Sequence, residues 1–354
     1  MKFRFDEIAF NSTLKKKPVE EDKIHYIGLE HIEPGNFSIT EWGSDVAPVG
    51  EKLIMKKGDI LFGKRRAYQR KVAIAPFDGI FSAHGMVLRP KTDVIDADFF
   101  PLFISSDTFM ETAMRISVGG LSPTINWKDL KEQEFELPSL EEQQTIAKKA
   151  WAAYRLKEAY QRLLSATDEM VKSQFIEWFG NAIQSVPLED VVEILDNKRK
   201  PLNDSQRSGM KSGQLYPYYG ATGVVDYVNA FLTDEDLICL AEDCGAYGPG
   251  EQSSYIIEGK AWVNNHAHVL RAKDNVILKY LQFFFTLTDL NEFISGTTRK
   301  KLTQSALKKI KVTLPDIELQ ELFVAIAEQA DKSKFELKRA IEAIDKVIKS
   351  LING

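Results

Sequence analysis

The stretch "LPSLEEQQ" at Leu137–Gln144 and the stretch "LPDIELQE" at Leu314–Glu321 each open a long segment with helical periodicity. They begin 177 residues apart, at 137 and 314, which is half of the 354-residue chain. A repeat of this length is typical of duplicated domains, whereas solenoid repeats are much shorter. The two junctions therefore predict two similar half-chains, each ending in a long helix.

Other similar segments follow one another in the same order along both halves. They are "KKKP" at 15–18 and "KRKP" at 198–201, "YIG" at 26–28 and "YYG" at 218–220, "HGMVLRPK" at 84–91 and "HAHVLRAK" at 266–273, and the pair Gly119 and Gly296. Any one of these similarities is weak. Their shared order favours an internal repeat.

The composition is that of a globular protein. With 354 residues, 44% of them hydrophobic and 27% charged, the chain is long enough for two domains with cores. The apolar run Tyr280–Leu287 is too short to span a bilayer, and the opening "MKFRFDEIAF" lacks a signal-peptide core. Two cysteines, Cys239 and Cys244, argue against a disulfide framework. We therefore expect a cytoplasmic protein with no membrane partner.

Basic residues are clustered although the net charge is −5. "KRRAYQRK" at Lys64–Lys71 holds five basic residues and no acid, and basic triplets lie at 15–17, 198–200 and 299–301. A single cluster of this kind is usually only a solvated face. Their recurrence in both halves favours contacts with nucleic-acid phosphates, which need local Lys and Arg.

Periodicity divides the chain into four parts. Residues 1–137 mix short β-type runs with Gly and Pro turns and predict a compact α+β domain. Residues 138–180 predict one long helix that starts at Ser139 or Pro138, since no Pro or Gly follows before Gly180. Residues 181–314 repeat the domain, and residues 315–354 repeat the helix with Asp316 as its cap.

Each predicted helix carries an apolar stripe at three- and four-residue steps, which requires a partner. In the first helix the stripe is Ile146, Ala150, Ala153, Tyr160, Leu163, Leu164, Thr167, Met170 and Val171. In the second it is Leu319, Leu322, Phe323, Ile326, Ala330, Leu337, Ile341, Ile344, Val347, Ile348 and Leu351. The order domain, helix, domain, helix predicts an antiparallel pair that separates two similar α+β domains with pseudo-twofold symmetry. The alternative is an ordinary buried helical hairpin.

With "GDILFGK" at 58–64, "PYYGATGVVDYV" at 217–228 and "AWVNNHAHVL" at 261–270, these junctions resemble the specificity subunits of type I restriction-modification enzymes. The resemblance covers essentially the whole chain. It implies two target recognition domains, each reading one half of a bipartite double-stranded DNA target, joined by helices that dock two methyltransferase subunits. Restriction subunits with translocase and nuclease activity join in some complexes. S-adenosylmethionine, ATP and Mg²⁺ would be bound by those partners, and no cofactor or metal by this chain.

The candidate DNA contacts follow from residue chemistry and from the resemblance. Arg and Gln can bond base edges bidentately, and they follow the predicted strand "DILF". In the second half, three Tyr surround a Gly-rich turn whose backbone could approach a groove or phosphate closely. The full candidate set is Lys64, Arg65, Arg66, Tyr68, Gln69, Arg70, Lys71, His84, Lys198, Arg199, Tyr218, Tyr219, Thr222, Asn265, His266, Arg299 and Lys300.

Several alternatives stay open for these residues. The tyrosines could be core residues of a tight turn, and His84 and His266 could be hydrogen-bonded strand ends. "AEDCGAYGPGE" at 241–251 is acidic where the aligned first half is basic, so the two domains are expected to read unlike half-sites. Glu242 or Asp243 could accept from a cytosine amino group, or belong to a solvated loop.

A zinc site would draw on four residues of the second half, Cys239, Cys244, His266 and His268. Their spacing does not follow the usual zinc patterns, and the first half has no cysteine. We therefore do not expect zinc.

The sequence also lacks the motifs of an enzyme. It contains no Asn-Pro-Pro-aromatic or Asp-Pro-Pro-Tyr stretch for base methylation, no Gly-x4-Gly-Lys-Ser/Thr and no Gly-x-Ser-x-Gly. We therefore expect a non-catalytic subunit. The alternative from another class is a coiled-coil adaptor that binds proteins and not DNA.

Overall fold

The computed structural model describes residues 1–180, 184–243, 246–296 and 300–353. The chain forms two compact units. Met1–Gln161 and Arg339–Gly354 make the first, and Arg162–Lys338 makes the second. Each long helix therefore contributes residues to both units.

The first unit is built from short strands and short helices before its long helix. The strands are β1 Lys2–Arg4, β2 Ala9–Ser12, β3 Lys15–Lys16, β4 Tyr26–Ile27, β5 Lys52–Met55, β6 Ile60–Phe62, β7 Val72–Ile74, β8 Gly79–Phe81, β9 Met86–Pro90 and β10 Glu134–Glu136. The helices are α1 Phe5–Ile8, α2 Phe99–Ser105, α3 Asp107–Arg115, α4 Trp127–Leu130 and the long α5 Leu140–Phe175. A π-helical turn, Ile176–Gly180, extends α5.

The second unit follows a similar order, but one of its helices lies between its second and third strands. Its strands are β11 Ser185–Pro187, β12 Val192–Ile194, β13 Tyr216–Tyr219, β14 Val224–Val228, β15 Thr233–Asp234, β16 Leu237–Ala241, β17 Ser254–Ile257, β18 Lys260–Val263, β19 Ala267–Ala272 and β20 Lys311–Thr313. Its helices are α6 Leu188–Val191, α7 Asp204–Gly209, α8 Leu278–Leu287, α9 Gln304–Leu307 and the long α10 Ile317–Asn353.

The sheets confirm the internal repeat. The order β2-β9-β6-β7 in the first unit matches β12-β19-β16-β17 in the second, and the pair β1-β10 matches β11-β20. The "YIG" and "YYG" segments also correspond, because β4 and β13 each run parallel to an equivalent strand, β8 and β18. The fourth strand of the remaining sheet differs. In the first unit β3 lies beside β5, whereas in the second β14 lies beside β13, on the opposite edge.

Each unit has its own apolar core. Phe5, Phe62, Phe100 and Phe109 are fully buried in the first, and Tyr280, Phe285 and Phe323 in the second. Both cores include residues of the long helices. The long helices are therefore part of each unit's hydrophobic core.

The predicted start of the first long helix is confirmed. The Ser139 hydroxyl accepts from Glu142 N at 3.3 Å, and the Glu142 carboxylate accepts from Ser139 N at 2.9 Å, which is a capping box. The second helix begins directly after Asp316, whose carbonyl accepts from Leu319 N. Both predicted helices therefore begin within one residue of the predicted site.

One buried glutamine in each junction joins the helix to its unit. The Gln143 Oε1 accepts from Asp96 N at 2.8 Å, and its Nε2 donates to the Val94 and Pro138 carbonyls. Gln320, 177 residues later, makes the same three bonds. Its Oε1 accepts from Ile277 N at 2.9 Å, and its Nε2 donates to the carbonyls of Asn275 and Pro315. The repeated junction is thus where each long helix is hydrogen-bonded to its own unit.

The two long helices contact each other within each unit. In the first unit, Lys157 Nζ lies 2.6 Å from an Asp345 carboxylate oxygen. In the second, Lys334 Nζ lies 2.8 Å from Asp168. The second pair is the first shifted by the 177-residue repeat with the helices exchanged. These pairs confirm the antiparallel pairing.

The predicted stripes are wider than the helix contact. Leu163, Met170, Leu322 and Val347 were assigned to them, yet each is about half exposed. A contact between two helices covers only a narrow seam, so residues beside the seam remain at the surface.

Among the helices that the structure describes, none is long and apolar enough to cross a membrane.

Candidate nucleic-acid interface

The basic segment Lys64–Lys71 follows β6 and forms a tight turn. Arg66 and Arg70 have φ values of 56° and 52°, in the left-handed region that non-glycine residues rarely occupy. Between them, Ala67–Gln69 forms a 3-10 turn closed by Gln69 N donating to the Arg66 carbonyl at 2.9 Å. Strained backbone of this kind is concentrated at functional sites.

The start of this turn carries positive charge that no described carboxylate neutralises. Within the described residues, Lys64, Arg65 and Arg66 form no ion pair. Burial and neighbouring Lys15 lower the pKa of Lys64. Burial and the charges of Arg65, Lys64 and Lys52 lower the pKa of His84 in the same way. Arg65 lies 3.4 Å from His84 Nε2, so the positive charge of this turn lies beside His84.

Several basic side chains of the turn are hydrogen-bonded to the protein. Arg65 and Arg66 both donate to the Ser122 hydroxyl, at 3.3 and 3.2 Å. Arg70 donates to the Ser105 carbonyl at 2.9 Å and pairs with Asp107 at 2.6 Å. The Lys71 ammonium donates to the Leu29 carbonyl. Arg70 and Lys71 are thus used by the fold itself.

Tyr68 and Gln69 lie at the tip of the turn. The Tyr68 side chain is 54% exposed, and Gln69 is partly exposed. Their side chains make no hydrogen bond to any residue in the described ranges. Both are therefore available to an external partner.

The equivalent loop of the second unit has the opposite charge. Arg65 bridges Thr124, and Asp243 bridges Lys301 in the same way. The carbonyls of Lys64 and Glu242 accept from the next residues, Ile125 N and Leu302 N. The aligned basic and acidic segments therefore occupy equivalent positions.

The matching histidines have neighbours of opposite charge. His84 Nε2 lies 3.4 Å from the Arg65 guanidinium. His266 Nδ1 lies 2.9 Å from the Asp243 carboxylate. Equivalent surfaces of the two units thus differ in electrostatic potential.

Two of the four basic residues predicted in the second unit are neutralised by carboxylates. Arg199, whose side chain is 15% exposed, pairs with Glu242 at 2.5 Å and with Asp196 at 3.2 Å. Lys198 pairs with Glu235 at 3.0 Å. Lys300 is exposed, and Arg299 lies outside the described residues. The charge available to an anion on this unit is smaller than its Lys and Arg content indicates.

The predicted tyrosines divide between core and surface. Tyr218 is 2% exposed, and its hydroxyl accepts from Leu202 N at 2.9 Å. Tyr219 is partly exposed and stacks on Tyr255 with ring centroids 5.2 Å apart. The exposed candidates near this turn are Thr222 and Asn265. Tyr218 therefore fits the alternative in which a tyrosine belongs to the core.

Two of the residues considered for zinc, Cys239 and His268, are buried in the core. Cys239 is fully buried in β16, and burial raises the pKa of its thiol to about 12. The ring of His268 lies between Asp196, at 2.7 Å, and the Leu302 carbonyl, at 2.8 Å, so both ring nitrogens are occupied. Cys244 lies outside the described residues. The described residues do not assemble this ligand set.

Three functional side chains escaped prediction from the sequence. Gln143 and Gln320 could have been found, because both junctions share the pattern Leu-Pro-x-x-Glu-x-Gln. Asp107, which pairs with Arg70, gave no such signal since it lies 37 residues away along the chain. Its role depends on tertiary contacts.

Comparison with known proteins defines the family. The type I restriction modification DNA specificity domain matches residues 3–154 and 182–345, and the chain belongs to this family. The two matches fall on the two repeated halves.

Two relatives are similar to part of this chain. A putative type I restriction enzyme specificity subunit of Haemophilus influenzae, S.HindORF215P, is 33% identical over 150 residues, which are 42% of this chain and 37% of that protein. The type I restriction enzyme EcoDI specificity subunit of Escherichia coli is 32% identical over 152 residues, 41% of this chain and 33% of that one. Each match thus spans about a third of the relative's length.

Solved structures show the same fold at low identity. The S subunit of a type I restriction-modification system from M. genitalium has a TM-score of 0.56 and 16% identity, over 99% of this chain and 94% of that one. A chain from a study of complex assembly in the type I R-M system has a TM-score of 0.59 and 16% identity, over 100% and 97%. At this identity the likeness concerns the fold alone.

Proposed function

We propose that this chain is the DNA specificity subunit of a type I restriction-modification complex. Each unit reads one half of a bipartite target in double-stranded DNA, and the long helices set the spacing between the half-sites. The observation that carries the proposal is the double match to a DNA specificity domain on two units with the same strand order. The cationic turn of the first unit supports it.

The electrostatics favour unlike half-sites. The first unit presents Lys64, Arg65 and Arg66 without described carboxylate partners, whereas Glu242 and Asp243 occupy the equivalent part of the second. Cations attract phosphates, and carboxylates can accept from cytosine amino groups. We therefore expect the first unit to supply more of the salt-dependent affinity.

The chemistry belongs to partners in this proposal. The subunit itself is non-catalytic and docks two DNA methyltransferase subunits, which bind S-adenosylmethionine. Where a restriction subunit joins, that partner binds ATP and Mg²⁺. We place the complex in the cytoplasm, which is consistent with only two cysteines in 354 residues. The reading domains are residues 1–137 and 181–314, and the helical regions are 138–180 and 315–354.

A salt-titrated binding assay tests the proposal. The full chain, assembled with methyltransferase subunits, should select a bipartite sequence from randomised duplexes and lose affinity steeply as salt rises. Sequencing of methylated sites in a host that carries the complex should recover the same bipartite sequence.

The same assay tests the adaptor alternative. An adaptor would assemble with its protein partners and select no sequence from the pool. That outcome, with a folded complex, would overturn the proposed function.

A further inference from the structure

The turn between Arg66 and Arg70 is held from both sides by contacts with distant parts of the first unit. On one side, Arg66 N donates to the Pro123 carbonyl at 2.7 Å and its side chain donates to Ser122. On the other, Arg70 is bound by Ser105 and Asp107. Two left-handed arginines persist only where surrounding structure over-determines them, and these four contacts provide that restraint.

The contact at Asp107 extends to the second long helix. Asp107 N donates to the Asn353 side-chain oxygen at 2.7 Å, and Lys349 lies 3.7 Å from the Asp107 carboxylate. Asp107 therefore joins Arg70 to the last turn of α10. These contacts restrain the Arg70 end of the turn through α3 and α10.

Two side chains remain at the tip. Tyr68 is 54% exposed, and neither its hydroxyl nor the side-chain amide of Gln69 has a hydrogen-bond partner among the described residues. A Gln side chain can donate to N7 of adenine and accept from its N6 amino group in the major groove. The exposed tyrosine next to Gln69 can present an aromatic face and a hydroxyl to the same or a neighbouring base.

We propose that Gln69, supported by Tyr68, reads an adenine in the half-site bound by the first unit, and that Arg66 and Arg70 are positioning residues for this pair. The inference rests on the proposed function. Arg70 is then less suited to read a guanine, because its Nη2 atom, which a bidentate contact uses, already bonds the Ser105 carbonyl and the Asp107 carboxylate. The neighbouring cations at Lys64 and Arg65 contact phosphates.

Gln69 and Tyr68 belong to the first unit. The second unit has Glu242 and Asp243 at the equivalent positions of Lys64 and Arg65, and both acids are tied to neighbouring cations or His266. Base preference governed by Gln69 should therefore appear in only one half of the target.

The experiment compares Gln69→Ala, Asp107→Ala and Arg70→Ala in the full chain assembled with methyltransferase subunits. Affinities are measured on the selected duplex and on a panel that changes one base pair at a time. Gln144→Ala is the matched control, because Gln144 is an exposed glutamine outside the turn. Unfolding temperatures verify that each variant is folded.

Gln69→Ala should lose about tenfold or more of its discrimination at one A·T pair, the scale of one bidentate contact. Discrimination in the other half-site should stay unchanged. Asp107→Ala should reproduce the loss seen in Arg70→Ala, because either change releases the turn that presents Gln69. Tyr68→Ala should weaken discrimination at the same or the adjacent base pair.

The Asp107→Ala variant distinguishes a positioning role of Arg70 from direct reading of a base by Arg70. If Arg70 read a guanine directly, removing its carboxylate partner would leave that preference intact while Arg70→Ala abolished it, and this result would overturn the inference. Unchanged preferences in Gln69→Ala would overturn it as well. Asp107→Asn serves if Asp107→Ala does not fold. Wild-type protein that selects no sequence would instead refute the proposed function.

Discussion

Replacing Gln143 by Ala should destabilise the first unit strongly, although the change removes only one polar side chain from a long helix. Gln143 is 1% exposed. Its amide makes three hydrogen bonds, to Asp96 N, the Val94 carbonyl and the Pro138 carbonyl, at 2.8, 3.3 and 3.0 Å. Alanine cannot replace any of them.

The size of the effect follows from these bonds. Each hydrogen bond contributes about 0.5–1.5 kcal/mol, and a buried group left without a partner costs about 1–3 kcal/mol. We therefore expect the free energy of unfolding to fall by about 2–4 kcal/mol. At roughly 2–4 °C per kcal/mol for a unit of this size, the melting temperature should fall by roughly 5–15 °C.

Scanning calorimetry of the full chain measures this effect. The internal repeat allows the same test at the equivalent residue of the second unit. Gln320 is fully buried and makes the same three bonds in the second unit, so Gln320→Ala should lower stability by a similar amount. The two glutamines share no hydrogen-bond partner, and their effects should add in the double variant.

Gln144→Ala is the control for both changes. It removes an exposed glutamine that directly follows Gln143 in the same helix, and exposed substitutions usually stay within about 0.5 kcal/mol. A Gln143→Ala variant as stable as Gln144→Ala would refute the view that the buried amide joins the helix to its unit.

Three further predictions concern other parts of the chain. Inserting four residues after Ala159 and four after Ser333 lengthens both helices by roughly 6 Å. Mapped methylation sites should then keep their half-sites and gain about one or two base pairs of spacer between them. An unchanged spacer length would contradict the role of the helices in setting it. His268→Ala removes a buried ring that contacts the Asp196 carboxylate at 2.7 Å and the Leu302 carbonyl at 2.8 Å, and urea unfolding should show a loss of about 2–3 kcal/mol. An exposed histidine variant should lose much less, and an equal loss would contradict this role of the ring. Hydrogen bonds from Arg271 and Lys198 lower the pKa of Glu235 from 4.5 to about 2, so its contribution to stability is present above pH 4.5 and lost as the pH falls towards 2. Glu235→Gln should flatten the acid limb of the stability curve, and an unaltered limb would contradict this assignment.

Features of the chain that depend on local patterns were predictable from the sequence. The repeat appeared as segments in the same order, and the structure pairs those segments in equivalent strands, β4 with β8 and β13 with β18. The start of the first long helix was predictable because Ser139 and Glu142 form a capping box within four residues. Signals of this kind need no knowledge of tertiary contacts.

Only the tertiary structure decided which candidate side chains are available to a ligand. Tyr218 and Tyr219 are adjacent in one strand, so they point to opposite faces, and the sequence does not show which face is buried. Arg199 is neutralised by Glu242, 43 residues away, and Arg70 by Asp107, 37 residues away. Such partners meet through folding. The sequence thus determined where basic and aromatic residues cluster, whereas long-range ion pairs and burial decided that Tyr68 and Gln69 remain free at the tip of the turn.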